Sequence, residues 1–382
     1  MSSASKTMHV PYIDLGIQYR NLKSEIDPLI EKILASGSYI LGEHGAALEK
    51  EYAAYQGVAH AVGVASGTDA IELALRAAGI GAGDEVIVPS FTFVATAEAV
   101  MHVGARPVFV DIEPDTYGID PAQTETAVTS KTKAIIPVHL YGHPCTMEPI
   151  LSLAKSKGLQ VIEDCAQGTG ASIGNKKVGS LGRLGAFSFF PTKNLGACGD
   201  AGIIVTDRAD DAEKLRWLRN HGSPKKYQHE ILGRNSRLDE IQAAILRVKL
   251  KHLDRWNQER IRVAGWYDKA FKALPPAVLK KLTLPSTRSG LSHVYHIYAL
   301  LTAQRDALWE HLKTKTIDAA VHYPEPLHRQ PVMRSIVSAG LSLPVSERVA
   351  REVLSLPIYP EMTEAMVLYV VEAIHDYYRA GN

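Results

Sequence analysis

Ala61-Val-Gly-Val-Ala65 leads straight into Ser66-Gly67-Thr68-Asp69 and then into Ala70-Ile-Glu-Leu-Ala-Leu-Arg-Ala-Ala78. The first five residues are uncharged and partly β-branched, which predicts a buried strand, and Thr68–Ala78 has the apolar spacing of a helix. The alternation continues outward. Glu85–Val88 is a strand and Phe93–His102 a helix; Pro107–Asp111, Lys133–His139 and Leu159–Asp164 are further strands; Ala186–Phe190 and Gly202–Val205 follow close together. Short, nearly continuous apolar strands separated by helices predict an α/β architecture, a mostly parallel sheet covered on both faces. Asp239 to about Tyr267 reads as one long helix, with Gln242, Ala243, Ile245, Leu246 and Leu250 on one face. A Pro-rich stretch, Leu274–Pro285, leads into a smaller α+β region with a strand at His296–Leu301 and helices near Arg305–Lys313, Ser346–Leu354 and Thr363–Tyr378. The expected division is a large domain over 1–250 and a small C-terminal domain over 251–382. There is no internal repeat.

The 382 residues, 46% of them hydrophobic, suffice for a large core. Lys plus Arg total 42 against 41 Asp plus Glu, a balance that gives nucleic acid or a membrane surface no purchase. Apolar runs such as Ala201–Val205 are strand-sized, far short of a membrane span. Met1–Tyr12 is polar and lacks an apolar signal core. The cysteines Cys145, Cys165 and Cys198 have no paired spacing, and reduced thiols in a cytoplasmic protein are expected.

Three positions carry the chemistry. Ser66-Gly67-Thr68-Asp69 sits between strand and helix, where free amides and the helix dipole favour a phosphate; a plain helix cap by Ser66 or Thr68 explains the same residues. Asp164 ends a buried strand at the sheet edge where α/β proteins bind ligands. Burial raises a carboxylate's pKa unless a cation compensates, and a protonated pyridine nitrogen is such a cation; a cap for the next segment is the plainer role. Lys193 follows the strand Ala186–Phe190 among apolar neighbours, and a partly desolvated lysine is a better amine nucleophile than a solvated loop lysine. Gly79, Gly81 and Gly83 follow a helix and precede a strand, the wrong order for a dinucleotide loop. His139 and His143 have the spacing of a metal pair, but Gly142 and Pro144 break any helix there, so no metal site is expected.

Five ordered blocks then resemble the DegT/StrS-type sugar aminotransferases, which have the aspartate aminotransferase fold. They are Ala65-Ser-Gly-Thr-Asp-Ala70, Pro89-Ser-Phe-Thr-Phe-Val-Ala-Thr96, Glu163-Asp-Cys-Ala-Gln167, Phe187-Ser-Phe-Phe-Pro-Thr-Lys-Asn-Leu-Gly196 and Asn235-Ser-Arg-Leu-Asp-Glu-Ile-Gln-Ala-Ala244. The resemblance runs from Val10 to Pro360. It implies a three-layer large domain holding pyridoxal phosphate (PLP, alternating with pyridoxamine phosphate) and a smaller α+β C-terminal domain. By similarity, Lys193 would carry the cofactor covalently and shuttle protons, and Asp164 would keep its pyridine nitrogen protonated. Gln167 would bond the ring oxygen, and Phe93 would lie over the pyridine face. Gly67, Thr68, the Asp69 backbone and Ser188 would hold the phosphate. Asn235 would reach the cofactor of a neighbouring subunit, making a homodimer with shared sites; capping the helix before Leu238 is its other role.

The activity implied is transfer of an amino group from an amino acid, by family habit L-glutamate, to a keto sugar on a nucleoside diphosphate. Phe190 and the run after Lys193, together with Lys226-Tyr-Gln-His-Glu-Ile-Leu-Gly-Arg234, resemble the 3-keto branch, and dTDP is the commonest carrier there. His322 and Tyr323, in His-Tyr-Pro, match a segment near the sugar; a structural loop is the alternative for them. Tyr227 belongs to the same substrate expectation. Left open are amination at C4, a UDP carrier, a dehydratase or epimerase, and a catalytically idle PLP-binding regulator. The retained Lys193 speaks against a dehydratase or epimerase, and Lys193 with Asp164 and Gln167 against idleness.

Overall fold

The computed structural model describes residues 8–338 and 340–381. Met1–Thr7, the start of the polar N-terminal stretch, lie outside the described residues. Two helices precede the first strand, α1 (Leu15–Ser36) and α2 (Glu43–Gln56). The Asp14 carboxylate opens α1 by accepting the Gly16 and Ile17 amides. No side chain of its own segment caps α2; the distant Glu240 does so, its buried carboxylate accepting the amides of Gly42, His44 and Gly45.

The alternating region follows: β1 (His60–Val64), α3 (Gly67–Ala77), β2 (Glu85–Pro89), α4 (Ala95–His102), β3 (Arg106–Val110), α5 (Pro121–Thr126), β4 (Thr132–Ile135), α6 (Met147–Lys157) and β5 (Gln160–Asp164). After a small ladder, β6 (Ser172–Ile173) with β7 (Lys176–Lys177), come β8 (Leu184–Ser188), β9 (Gly202–Thr206) and α7 (Ala209–Leu218). The seven-stranded sheet has the order β1-β9-β8-β5-β4-β2-β3, and only β9 runs against the rest. Alternate side chains of each strand enter opposite cores, as the strand period of two requires. Val62, Val64, Ala186 and Ile204 pack with α3 and α7, whereas Ala61, Phe187, Ile203 and Val205 pack with α2 and the helix that follows Asp239. This is the three-layer fold expected, a mostly parallel mixed sheet between helices.

The expected single helix over Asp239–Tyr267 is two: α8 (Glu240–Leu250) and α9 (Leu253–Lys272). Ala243 and Leu246 of α8 lie under the main sheet, and buried Lys249 donates to the Gly196 carbonyl at 2.7 Å. Val263, Tyr267 and Phe271 of α9 fill a different core, so one straight rod could not serve both. Beyond α10 (Pro276–Leu279) and β10 (Leu291–Ser292), which joins the small ladder, that second core is built on β11 (Tyr298–Leu301), α11 (Arg305–Thr314), β12 (Val353–Leu356) and α13 (Glu364–Arg379), while α12 (Pro344–Glu352) packs Val349 and Ala350 against Phe91 and Tyr141 in a neighbouring cluster. Leu354, expected at a helix end, instead pairs with Leu300 in the β11–β12 ladder. Val10 bridges to Ile317 and joins the same core, so the start of the chain packs with its C-terminal part. Asp111, just past β3, accepts the Val345 and Ser346 amides and fastens α12 to the main sheet. Among the described residues, no helix is long and apolar enough to cross a membrane.

Candidate active site

The C-terminal ends of β1, β2, β4, β5 and β8 and the beginning of the reversed β9 meet at one rim, around a cavity of about 460 Å3. Nine of the expected site residues line it, Gly67, Thr68, Phe93, Asp164, Gln167, Ser188, Lys193, His322 and Tyr323, together with Ser66 and Phe190.

The rim begins at α3. Ser66 Oγ accepts the Asp69 amide at 3.1 Å, leaving the Gly67 and Thr68 amides, at the helix start, without intrahelical partners. Side chains are excluded from this corner. A Cβ on Gly67 would stand 2.6 Å from Ser188 Cβ, and one on Gly202 would stand 2.3 Å from the Ser66 carbonyl oxygen. Three strands therefore close around a cup of amides and small hydroxyls. The Asp69 amide is taken by Ser66. The Asp69 side chain accepts from Ser236 Oγ at 2.6 Å and pairs with Arg234, outside the cavity lining.

Asp164 is 4% exposed; its carboxylate accepts the Thr96 hydroxyl at 2.8 Å and the Ala166 amide at 3.1 Å. Burial pushes its pKa up, against those two bonds and the charge of Lys193. Lys193 has no hydrogen-bonded partner for its Nζ among the described residues; desolvation brings its ammonium down to about 8, with Asp164 opposing. Gln167 is fixed at both ends: Oε1 accepts the Tyr141 amide at 2.7 Å and Nε2 donates to the Tyr323 hydroxyl at 3.1 Å. Phe93 is half-exposed into the cavity, its ring 5.8 Å from that of Tyr323. His322 Nδ1 meets Ser355 Oγ at 3.0 Å, and burial, then Lys193, pulls its pKa to about 4.

Besides Asp69, two expected residues are not brought to this cavity within one chain. Tyr227 is 84% exposed on the loop between α7 and α8, and Asn235 is exposed, its backbone bridged to Asn220. Several lining residues escaped the sequence reading, notably Thr92, Asp200 and His296. Thr96, which holds Asp164, stood inside a quoted block without a role. His296 gave no signal, because a buried histidine at the start of an apolar strand looks like core; burial, then Lys193 and Arg260, holds it well below the usual imidazole range. His139 and His143 do not converge on a common atom. His139 uses one ring nitrogen on Glu163 and the other on the Cys145 amide, while His143 Nδ1 goes to the Pro144 carbonyl. Cys165 completes a buried group with His139 and Glu163, but the Glu163 oxygens are already occupied by the amides of Gly179, Leu181 and Gly182.

The residues fit pyridoxal phosphate on three observations: a cup of amides that a Cβ would fill, a buried carboxylate whose charge a cation would stabilise, and a lysine of lowered basicity without a hydrogen-bonded partner among the described residues. Fold and site together define a PLP enzyme of the aspartate aminotransferase type. The chain belongs to the DegT/DnrJ/EryC1/StrS aminotransferase family, whose model matches residues 20–375. It is 50% identical to the "Pleiotropic regulatory protein" of Geobacillus stearothermophilus over 97% of this chain and 99% of that one. It is also 50% identical to the UDP-N-acetyl-3-dehydro-alpha-D-glucosamine 3-aminotransferase of Acidithiobacillus ferrooxidans, over 96% and 97% of the two chains. The crystal structure of Streptomyces venezuelae DesV in complex with a ketimine intermediate superposes with a TM-score of 0.93 at 45% identity, covering 97% of this chain and 99% of that one.

Proposed function

We propose that the protein moves an amino group from L-glutamate to C3 of a 3-keto sugar carried on a nucleoside diphosphate. The observation that carries the reading is the meeting of Lys193, Asp164 and the α3 cup in one cavity of a chain half identical to a named 3-aminotransferase. Bound pyridoxal phosphate supplies the electron sink for the pair of electrons left when a proton leaves the carbon that bears nitrogen. The protein supplies the rest. The Gly67 and Thr68 amides with Ser188 hold the phosphate at the helix start, where the dipole favours an anion. Asp164, kept in place by Thr96 and the Ala166 amide, would hold a proton on the ring nitrogen. Lys193 would hold the cofactor covalently and, once freed, its amine would take the proton from the substrate carbon and give it back. Gln167 would hold the ring oxygen, and Phe93 would cover one ring face.

Substrate contacts fall to His322 and Tyr323 on one side and Phe190 on the other. Phe190 is 49% exposed and offers no hydrogen bond beside Lys193, which supports the 3-keto assignment. The carrier we take as dTDP, the commonest carrier in the 3-keto branch that the chain resembles; the Acidithiobacillus relative favours UDP as the second reading. We further take the active form to be a homodimer in which Asn235 and Tyr227, both exposed here, reach the neighbouring site. Three free cysteines, two of them buried, support a reducing cytoplasm. The Geobacillus relative's printed name keeps a regulatory role in view, but an intact Lys193 and Asp164 are what catalysis needs and binding alone does not.

The test is incubation with glutamate and a panel of 3-keto and 4-keto sugars on dTDP and UDP, with NMR of the products. Nitrogen on C3 is expected. Nitrogen on C4 overturns the regiochemistry, and no amination of any member overturns the enzyme reading.

A further inference from the structure

Away from the cofactor cup, three polar side chains form a buried line. Ser90, just past β2, has its Oγ 2.6 Å from His328 Nδ1, and His328 Nε2 lies 3.2 Å from Glu347 Oε1 in α12. Ser90 is fully buried and His328 only 5% exposed. Glu347 also accepts Arg329 at 2.6 Å and the Leu343 amide at 3.1 Å; burial works against its ionisation, yet these donors and His328 hold its carboxyl down to about 2. With an ionised Glu347 on one side, Nε2 of His328 carries the proton, so Nδ1 accepts from the Ser90 hydroxyl. Serine, histidine and carboxylate in line suggest a nucleophile, but Ser90 lines none of the cavities described and its oxygen has no access to solvent.

The line joins two segments that border the active site. The Leu327 amide donates to the Ser90 carbonyl at 2.7 Å, and the rings of Phe91 and Phe93 both meet Tyr323, at 6.3 and 5.8 Å. Residues 90–93 and 323–328 thus lie against each other, with Tyr323 and Phe93 at the cavity end and His328 at the far end. We propose that His328 is a positioning residue: it locks the loop carrying His322 and Tyr323 onto the segment carrying Phe93, and so sets the spacing between the cofactor's ring face and the sugar pocket. This rests on the reading that Phe93 and Tyr323 face cofactor and sugar.

Two substitutions separate the halves of the bridge. His328→Asn can reach Ser90 but not Glu347, and His328→Gln can reach Glu347 but not Ser90. If the bridge sets the spacing, each should raise KM for the keto sugar about 10-fold, the size of one lost buried hydrogen bond, with kcat for the glutamate half-reaction within about twofold. Each should also weaken PLP binding to the apoprotein by less than the sugar. Ser90→Ala should raise KM at least as much as His328→Gln, because it also removes the acceptor of the His328 amide at 3.3 Å. Lowered melting temperature with unchanged KM in both variants would reduce His328 to a packing residue, and labelling of Ser90 by a fluorophosphonate would show it to be a nucleophile instead. A wild-type protein that aminates no sugar would refute the functional reading, whereas an active wild type with unaltered variants would refute this inference alone.

Discussion

Asp164→Asn separates the chemical role of this carboxylate from its structural one. In the fold the two oxygens have different partners: one accepts the Ala166 amide at 3.1 Å, the other the Thr96 hydroxyl at 2.8 Å. An asparagine oxygen can keep the first bond. Its amide can donate to Thr96 Oγ1, whose own proton can turn to Thr92 Oγ1 at 3.2 Å. Both contacts survive in reversed form, and the substitution also removes a buried charge, so the cost in folding stability should stay below about 1 kcal/mol. The cost in rate is of another size. Without a fixed negative charge the ring nitrogen is no longer held protonated, and losing a positioned electrostatic group costs on the order of 100-fold or more, about 2.7 kcal/mol. Single-turnover absorbance of the glutamate half-reaction at saturating PLP, read beside a urea melt, measures both. Near-normal turnover in Asp164→Asn would show that the residue only caps the turn after β5, and the electron-sink argument would fail with it.

Other outcomes follow from the same geometry. Borohydride reduction of the holoenzyme should tether PLP to Lys193 alone, and Lys193→Ala should lose that tether while keeping some cofactor on the α3 cup; a label on another lysine refutes the assignment. In the apoprotein the Lys193 amine should react with acylating reagents with a midpoint near pH 8, and Asp164→Asn should move the midpoint down, because the removed negative charge had favoured the ammonium; an upward move contradicts the pairing. Asn235→Ala should weaken PLP retention by roughly 1.5–3 kcal/mol, the value of a bond to a charged group, without a matching loss of fold, and a fully active monomer would sink the shared-site proposal. Glu240→Gln should cost about 2 kcal/mol in urea unfolding, since a neutral amide replaces a carboxylate bound to three amides; an unchanged midpoint would mean that α2 needs no cap.

The strand–turn–helix at Ala61–Ala78 was legible because its apolar pattern and its turn chemistry agree, and the same holds for β2, β3, β5 and β9. Lys193, Asp164 and the residues around Ser66 were legible as a set because each ends or follows a strand, and strand ends share a rim. What was hidden depended on partners remote in sequence. The start of α2 is capped from almost two hundred positions away, so nothing local announces it. The interruption between α8 and α9 contains neither Gly nor Pro; it follows from the demand of two separate cores. Thr96, His296 and His328 are buried polar residues whose bonds, not their types, give them roles. The strand order, with β9 reversed, also lies beyond what periodicity conveys.

That reversal has a mechanical consequence. The loop bearing Lys193 leaves the rim at the end of β8 and returns to the same rim at the start of β9. It is stitched across by the Phe189 amide on the Ala201 carbonyl and the Ala197 amide on the Phe189 carbonyl, each at 2.8 Å. The Lys193 amide is itself tied to the Phe190 carbonyl at 2.9 Å. The loop is closed at its base by these bonds, and the Lys193 side chain supplies the remaining rotatable bonds that carry its amine. A base stitched in this way anchors Lys193 to two neighbouring strands of the main sheet, so the amine is aimed from the scaffold and not from a loose loop.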